Sequence, residues 1–224
     1  METLELYKNK IYDSKNNSFF HRFYDEILGK RILDVGCGSG GLGLFLKNHN
    51  NIVYGVTVSE EEAVLAREKL DGVIVMNAEN ISELSFPHKY FDVIIFSDSL
   101  EHLRNPSDVL RKVKPFLCEG GLLIASIPNI ANFKIRLGLL CGNFKYTEGG
   151  ILDNTHLRFF TLQTAKELIL NAGYNINQIK YTNWSLEFSS YFGKIIPFKW
   201  KLRDALTNLW PRLFATQFVI YGRN

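Results

Sequence analysis

An aspartate followed by closely spaced glycines is the stretch of the sequence best suited to hold a ligand. Asp34 lies in a short apolar run, residues 32–35, and five glycines follow within the eight residues 36–43. Glycine has no Cβ, so its main chain can approach a ligand closely, and it adopts positive φ at little cost. An apolar run that breaks into glycines and then into a Leu/Phe-rich segment is typical of a buried strand turning into a helix. The stretch is therefore predicted to cradle a nucleotide-like cofactor.

The glycine spacing is compatible with two cofactor classes. Gly36, Gly38 and Gly41 fit the G-x-G-x-x-G pattern of dinucleotide-binding proteins, in which a helix N-terminus meets a pyrophosphate. Residues 34–40 also fit D-x-G-x-G-x-G, with Asp34 as the acid. A carboxylate at this point would repel a pyrophosphate, whereas it suits the ammonium and sulfonium groups of S-adenosylmethionine. The acid therefore favours S-adenosylmethionine, and a nicotinamide-dependent oxidoreductase is the less favoured class.

Two histidines and a glutamate could assist the removal of a proton. Glu101 and His102 follow an apolar segment, residues 91–97, and His156 precedes a helical segment. A hydroxyl is a poor nucleophile until it loses its proton, and histidine titrates near neutral pH. Either histidine could be the general base beside Glu101; the alternative for each of the three is a structural role. The five histidines show no metal-ligand spacing, so no metal site is predicted.

Composition narrows the class of protein. The 224 residues suit one α/β domain with an insertion, and a net charge of +3 is too small to indicate nucleic-acid binding. No apolar run is long enough to span a membrane, and the first residues do not resemble a secretory signal, so a cytoplasmic location is expected. Cys37, Cys118 and Cys141 form no closely spaced pair, so neither a disulfide framework nor a zinc site is predicted.

Strands and helices alternate along the first part of the chain. The predicted strands are 32–35, 51–58, 72–76, 91–97 and 120–127, and the predicted helices are about 41–49, 60–70 and 106–117. This order indicates a doubly wound parallel sheet, in which ligands bind beyond the carboxyl ends of the strands. Asp34, Thr57, Asn77, Ser97 and Pro128 are therefore predicted to lie on one rim of the sheet.

Capping residues define two of the helices. Ser59 should cap the helix at 60–70, with Glu62 completing a capping box, and Thr161 should cap a helix that ends before Gly173. The two alternating segments that remain, residues 174–181 and 216–221, are predicted to form an antiparallel pair at the edge of the sheet.

Three accessory segments are predicted within one domain that spans residues 1–224. They are a helical lid at 1–30, a substrate flap at 129–160, and an aromatic, basic insertion at 182–214 before the last strand. Short helices are predicted at 19–28, capped by Ser18, and at 133–140. Residues 184–210 interleave aromatic side chains with lysine and arginine, a composition that could cover the edge of the domain, pair two copies in a homodimer, or contact an anionic membrane surface.

Two motifs resemble class I S-adenosylmethionine-dependent methyltransferases. Residues 33–40, Leu-Asp-Val-Gly-Cys-Gly-Ser-Gly, match the first motif of that family. Phe-Asp-Val-Ile-Ile at 91–95, Leu-Glu-His-Leu at 100–103 and Asn-Pro at 105–106 match its fourth-strand motif. The resemblance implies an α/β, Rossmann-like, doubly wound sheet of seven strands with an antiparallel last strand, and S-adenosylmethionine as cofactor. The cofactor-binding residues that it implies are Asp34, Gly36, Cys37, Gly38, Gly40, Thr57, Asn77, Ala78, Glu79 and Ser97.

Two of these positions depart from the family pattern. Thr57 stands where the family usually has an acid that accepts both ribose hydroxyl hydrogens, and a hydroxyl is the weaker acceptor. Residues 55–59 do resemble the corresponding segment of cyclopropane-fatty-acid-type methyltransferases. Asn77 replaces the aspartate that commonly contacts the adenine amino group, although its side-chain carbonyl can still accept that bond. Cofactor binding is expected, with lower affinity than is usual for the family.

The second half of the chain suggests a subgroup. Ser-Ile-Pro-Asn at 126–129 and the segment 153–161 resemble methyltransferases of surface-polysaccharide and O-antigen biosynthesis. The resemblance implies O-methylation of a sugar or glycan precursor, with Arg158, Asn129 and Asp153 as substrate-binding residues. Arg158 could hold a phosphate or carboxylate of the substrate, or pair with Asp153. The same segments resemble the MetW-like proteins of methionine biosynthesis, which implies an alternative: a partner or regulatory subunit of an acyltransferase.

Overall fold

A single mixed sheet of seven strands organises the protein. The computed structural model describes residues 21–183 and 199–224, with the main chain alone at 199–203. In chain order the strands are β1 Arg31–Val35, β2 Ile52–Thr57, β3 Gly72–Val75, β4 Phe91–Ser97, β5 Leu117–Pro128, β6 Asn175–Thr182 and β7 Gln217–Arg223. Their order across the sheet is β3-β2-β1-β4-β5-β7-β6.

The first five strands are parallel and the last pairs antiparallel. β7 lies between β5 and β6 and is antiparallel to both, with a register that runs from Leu122 opposite Arg223 to Pro128 opposite Gln217. The predicted α/β fold with seven strands, an antiparallel last strand and an antiparallel pair at the edge is therefore confirmed. Because β1, β2, β4 and β5 run in the same direction, their carboxyl ends meet at one rim of the sheet.

Helices cover both faces of this sheet. They are α1 Gly41–Lys47, α2 Glu60–Arg67, α3 Pro106–Val113, α4 Phe133–Leu140, α5 Leu162–Asn171, α6 Lys199–Leu209 and α7 Pro211–Phe214, with 3₁₀ turns at Ala78–Glu83, Leu100–His102 and Lys114–Phe116. In the described part of the chain, none of these helices has the length and apolarity needed to cross a membrane.

Capping residues in the sequence predicted the starts of helices more accurately than their ends. Ser59 and Thr161 cap α2 and α5 through their side-chain oxygens, as predicted. The predicted helix at 106–117 instead ends at Val113, because Pro115 has no N–H for the helix ladder and its ring would clash with the preceding turn. The capping box predicted for Glu62 is wrong: the Glu62 carboxylate accepts its hydrogen bond from the Thr57 hydroxyl.

The segment before β1 folds down onto the sheet. The predicted helix at 19–28 does not extend through the described residues, since 22–26 form turns in which Tyr24 N donates to His21 O and Ile27 N to Tyr24 O. Ser18 and the first two residues of that prediction lie outside the described residues. The Tyr221 hydroxyl donates to Phe23 O at 2.8 Å, which ties the segment to β7. Tyr24 is fully buried as a result.

Two apolar clusters, one on each face of the sheet, hold the rim in place. Alternate residues of β4 serve both: Ile94 and Phe96 pack in one cluster, and Val93 and Ile95 in the other. Complete burial of an isoleucine or phenylalanine side chain contributes about 1.5–3 kcal/mol. β4 is therefore packed on both faces, which holds the residues that follow it in position.

The insertion before β7 is described only in part. Residues 184–198 lie outside the described residues, while Leu209 and Trp210 expose 83% and 60% of their surface. This leaves apolar surface that a second copy or a membrane could cover, and both roles stay predictions.

Candidate functional site

The loops at the carboxyl ends of the strands converge as predicted. Gly36 N and Cys37 N both donate to Val56 O, at 2.8 and 3.0 Å, so the loop after β1 is bonded to β2. The Ser99 hydroxyl donates to Val35 O at 2.8 Å, so the loop after β4 is bonded to β1. Asp34, the glycine loop and the first residues after β4 therefore form one continuous edge.

The glycine loop has a backbone that other residues would not adopt easily. Gly36, Gly38 and Gly40 all have positive φ. A Cβ at Gly36 would lie 2.6 Å from the Ser99 Cβ, closer than two carbon atoms can pack. The loop thus lies directly against the segment after β4, and Cys37 beside it is a buried filler whose sulfur lies under Gly55.

Asp34 presents a buried carboxylate with an unused oxygen. The residue is 1% exposed, and its Oδ1 accepts no hydrogen bond from the described residues. Burial raises the pKa of this carboxyl to about 7, because the charged form loses its hydration. A ligand ammonium placed here would supply the missing donor and stabilise the ionised form. The site therefore fits the amino-acid part of S-adenosylmethionine.

Tyr24 reaches the same edge and was not predicted. Burial, above all, raises the pKa of its hydroxyl, and the charges of Asp98 and Asp34 act in the same direction. The spacing of residues in the sequence does not relate Tyr24 to the rim, because the segment before β1 reaches the rim through its contact with β7.

A second carboxylate lies behind Thr57. Thr57 Oγ1 donates to Glu62 Oε2 at 2.8 Å, and the two residues are 4% and 6% exposed. Because the hydroxyl proton points to a carboxylate, the oxygen of Thr57 acts as an acceptor, and the hydrogen bond polarises it. In the family pattern the acid occupies the position of Thr57 itself. Here the acid is Glu62, which contacts the hydroxyl of Thr57. Sequence reasoning assigned this acid to a helix cap and so missed it.

The segment after β3 is held by its own hydrogen bonds. Asn77 Oδ1 accepts from Glu79 N at 2.9 Å, which leaves a second lone pair for the predicted adenine contact. Glu79 Oε1 accepts from Arg104 N and Asn105 N, so its side chain joins this segment to the start of α3. The predicted cofactor contacts of Asn77, Ala78 and Glu79 stay predictions, as does that of Ser97, the half-buried last residue of β4.

The structure brings the three predicted catalytic residues together. A carboxylate oxygen of Glu101 and one ring nitrogen each of His102 and His156 all lie within 4.8 Å of one another. Leu157 N and Arg158 N donate to Glu101 O at 2.9 and 3.0 Å, so the segment that carries His156 is bonded to the turn after β4. Sequence spacing could not show this cluster, because its parts come from two distant segments.

Hydrogen bonds define which nitrogen of each imidazole carries the proton. His156 Nδ1 lies 3.1 Å from Ile151 O, which can only accept, so Nδ1 is the protonated nitrogen. His102 Nδ1 lies 3.2 Å from Thr155 Oγ1, whose own proton points to Asp153 Oδ1 at 2.6 Å. His102 Nδ1 must then be the donor. In both neutral rings the lone pair is on Nε2.

Glu101 is a buried carboxyl group with two acidic residues near it. The residue is 1% exposed, and neither of its carboxylate oxygens accepts a hydrogen bond from the described residues. Burial raises the pKa of Glu101 well above its usual value, and the charges of Asp98 and Asp153 add to the effect. Asp98 directly follows β4 and was overlooked; its Oδ1 accepts from Ser126 and Gln217, and burial raises its pKa to about 6.

The three predicted substrate-binding residues have partners within the protein. Asn129 is fully buried, with Nδ2 donating to Ala215 O and Oδ1 accepting from Ala131 N. Within the described part of the chain, the Arg158 guanidinium donates to Arg104 O and forms no pair with Asp153. Asp153 accepts from the main chain and hydroxyl of Thr155. These contacts account for their positions, and a role toward substrate stays a prediction.

Comparison with known proteins agrees with this geometry. Residues 33–125 match a family model described as a methyltransferase domain. The chain is 34% identical over 117 residues to a ubiquinone biosynthesis O-methyltransferase of Coxiella burnetii, a match that covers 51% of this chain and 50% of that protein. The chain thus spans about half the length of that relative. It is 28% identical to an uncharacterized protein of Methanocaldococcus jannaschii, over 84% of this chain and 83% of that one.

A solved structure shares the whole fold. A SAM-dependent methyltransferase from Archaeoglobus fulgidus superimposes with a TM-score of 0.68 at 18% identity, covering 98% of this chain and 99% of that one. The family model matches residues 33–125, whereas this structural match also covers the antiparallel last strands.

Replacement of Asp34 should weaken cofactor binding in a pH-dependent way. S-adenosylhomocysteine carries the same ammonium as the cofactor, and loss of a charged hydrogen bond costs about 1.5–3 kcal/mol, so Asp34→Ala should bind it roughly 10- to 100-fold more weakly. Because the pKa of Asp34 is raised to about 7, the carboxyl is mostly protonated at pH 6 and ionised at pH 8. Wild-type affinity should therefore rise up to about tenfold between these pH values. Calorimetric titration at both pH values measures this.

Asp34→Asn is the matched control for the pH effect. It keeps the size of the side chain but cannot ionise, so the rise in affinity between pH 6 and pH 8 should be absent. An Asp34→Ala protein with near-normal affinity would show that the aspartate does not hold the ligand.

Glu62 should contribute to cofactor affinity through Thr57. Glu62→Gln keeps an oxygen that can accept from Thr57 but removes the charge, and we expect about fivefold weaker binding of S-adenosylhomocysteine, the difference between a charged and a neutral hydrogen bond. Adenine alone, which lacks the ribose, should be unaffected. Glu68→Gln, an exposed change in the same segment, is the control. Equal affinities for the two variants would remove Glu62 from the site.

Proposed function

We propose that the chain is a class I S-adenosylmethionine-dependent methyltransferase that methylates a hydroxyl group of a sugar or glycan precursor. The observation that carries the proposal is the Glu101, His102 and His156 cluster beside the cofactor edge. A hydroxyl needs help to lose its proton before it can accept a methyl group, whereas a more nucleophilic acceptor needs little.

The cofactor edge and the cluster are adjacent. Ser99 contacts the glycine loop, and Glu101 lies two residues after Ser99, in the 3₁₀ turn that Ser99 precedes. S-adenosylmethionine, when bound, supplies an electrophilic methyl group on its sulfonium. In this proposal Asp34 and the loop at Gly36 hold its amino-acid part, Thr57 accepts from its ribose, and the cluster receives the acceptor.

The segment that carries His156 closes one side of the acceptor space. Its main-chain bonds to Glu101 and the buried hydroxyl of Thr155 fix it against the turn after β4. Positioning of this kind can lower the activation free energy of a bimolecular reaction by roughly 7–11 kcal/mol. The resemblance of residues 153–161 to polysaccharide-associated methyltransferases supports a sugar as the acceptor, and the printed name of the Coxiella relative supports oxygen as the methylated atom.

Turnover and cofactor affinity should respond differently to changes in the cluster. His102→Ala and His156→Ala should each lower turnover by about 10²- to 10⁴-fold, the range for loss of proton-transfer assistance, with nearly unchanged affinity for S-adenosylhomocysteine. A screen of nucleotide sugars, lipid-linked glycans and small phenols identifies the acceptor for this assay. His88→Ala is the control, since His88 is exposed and lies against Phe116.

The screen also tests the acceptor class. Methylation of phenols but of no sugar would overturn the glycan assignment, and methylation of amines alone would overturn the hydroxyl assignment. Unchanged turnover in both histidine variants would remove the cluster from the reaction.

A further inference from the structure

Among the described residues, none donates the hydrogen bonds that the buried carboxylate of Glu101 would normally accept. Its two oxygens accept no hydrogen bond from the described residues, and His156 Nε2 lies 3.9 Å from Oε1. That separation exceeds the roughly 3.2 Å upper limit of an ordinary N–H···O hydrogen bond. A buried polar group in this state costs free energy unless a ligand satisfies it.

In the neutral form of each imidazole, Nε2 carries an electron pair that can bind a cation. His156 Nδ1 donates its proton to Ile151 O, and His102 Nδ1 donates its proton to Thr155. Their Nε2 atoms are therefore acceptors in the neutral rings. A cation placed between these nitrogens and the carboxylate would favour the ionised form of Glu101 and could accept an electron pair from each of the three groups.

We infer that Glu101, His102 and His156 form a binding site for a divalent transition-metal ion. Two imidazoles and one carboxylate leave further coordination positions open for a water or substrate oxygen, the arrangement of catalytic rather than structural metal sites. This donor set suits Zn²⁺ better than Mg²⁺, Ca²⁺ or Mn²⁺, which prefer oxygen ligands.

The distances suit such an ion after a small adjustment. Ligand atoms at about 2.0–2.2 Å from one ion lie roughly 3–3.5 Å apart. The three ligand atoms here lie within 4.8 Å of one another, with 3.9 Å between Glu101 and His156. Side-chain shifts of about 1 Å, within the rotation of two rings and a carboxylate, would complete the coordination.

The groups behind the ligands are arranged as metal sites require. A ligating histidine normally donates its other ring N–H to a carbonyl or to a carboxylate, which orients the ring and makes it a better donor. His156 donates to Ile151 O, and His102 donates to Thr155, whose hydroxyl is held by Asp153. The negative charge of Asp98 and Asp153 adds to the attraction for a cation.

The role of the ion rests on the proposed function, but its binding does not. A hydroxyl that coordinates the ion would have a lowered pKa, so the ion would help the acceptor to ionise. The two histidines would then act as ligands that position the ion, and the loss of turnover in their variants would follow from loss of the metal.

Metal binding can be measured without any turnover. The full chain is stripped with chelator and dialysed against Zn²⁺, bound metal is counted by mass spectrometry, and Co²⁺ is added separately to record the absorption bands that report its ligands. We expect about one equivalent of Zn²⁺ and a tetrahedral or five-coordinate Co²⁺ spectrum. Glu101→Gln and His156→Ala should each weaken binding by more than the 10- to 100-fold that loss of a supporting group costs, while His88→Ala should bind normally.

Thr155 tests the supporting hydrogen bond. Thr155→Val keeps the shape of the side chain and removes one of the two Thr155 oxygens that His102 Nδ1 contacts, while the main-chain oxygen, 3.3 Å away, stays. It should therefore weaken Zn²⁺ binding by about tenfold, the lower end of the range for loss of a supporting group. Thr155→Ser restores the hydroxyl and should restore affinity. A purely structural role for Thr155 would change thermal stability without this rescue of metal affinity.

Folding of each variant is checked by its affinity for S-adenosylhomocysteine, which binds to other residues. Absence of stoichiometric Zn²⁺ binding to the wild type, or binding that persists equally in Glu101→Gln and His88→Ala, would overturn the inference. A chain that binds Zn²⁺ but not S-adenosylhomocysteine would refute the proposed function and leave the metal site standing.

Discussion

Two carboxylates that are buried without hydrogen-bond donors from the described residues are the constraint on which the rest of this structure depends. Asp34 Oδ1 and both oxygens of Glu101 accept nothing from the described residues, although each residue is only 1% exposed. Removal of such groups from water is unfavourable unless something replaces the lost hydration. Both lie at the carboxyl edge of the sheet, where a bound cofactor and a bound cation or acceptor can supply what is missing. We therefore expect the ligands to supply the hydrogen bonds or positive charge that these two carboxylates lack.

The scaffold keeps these groups in place by packing and by main-chain bonds. β4 is anchored in apolar clusters on both faces, so the turn that follows it, with Glu101 and His102, has a fixed origin. The glycine loop is tied to β2 through Val56 O and lies against Ser99. These contacts join parts of the protein to one another and do not depend on a ligand.

Local patterns in the sequence predicted most of the fold. β4 and α4 have the bounds expected from apolar content, and the caps at Ser59 and Thr161 follow from side-chain chemistry within one turn. Contacts between distant segments were not predictable in the same way. Tyr24 reaches the rim by packing on β7, and the hydrogen bond between His102 and Thr155 joins residues 53 positions apart. Glu62 was misassigned because a glutamate three residues after a cap serves two roles equally well in sequence. The cofactor edge was thus visible in the motifs, whereas the metal-binding geometry required the fold.

The central claim is that the edge at Asp34 binds S-adenosylmethionine rather than a dinucleotide. Isothermal titration of the full chain with S-adenosylhomocysteine and, separately, with NAD tests it most directly, because a buried carboxylate attracts an ammonium and repels a pyrophosphate. We predict one binding site for S-adenosylhomocysteine and no measurable heat with NAD. Binding of NAD without binding of S-adenosylhomocysteine would contradict the account.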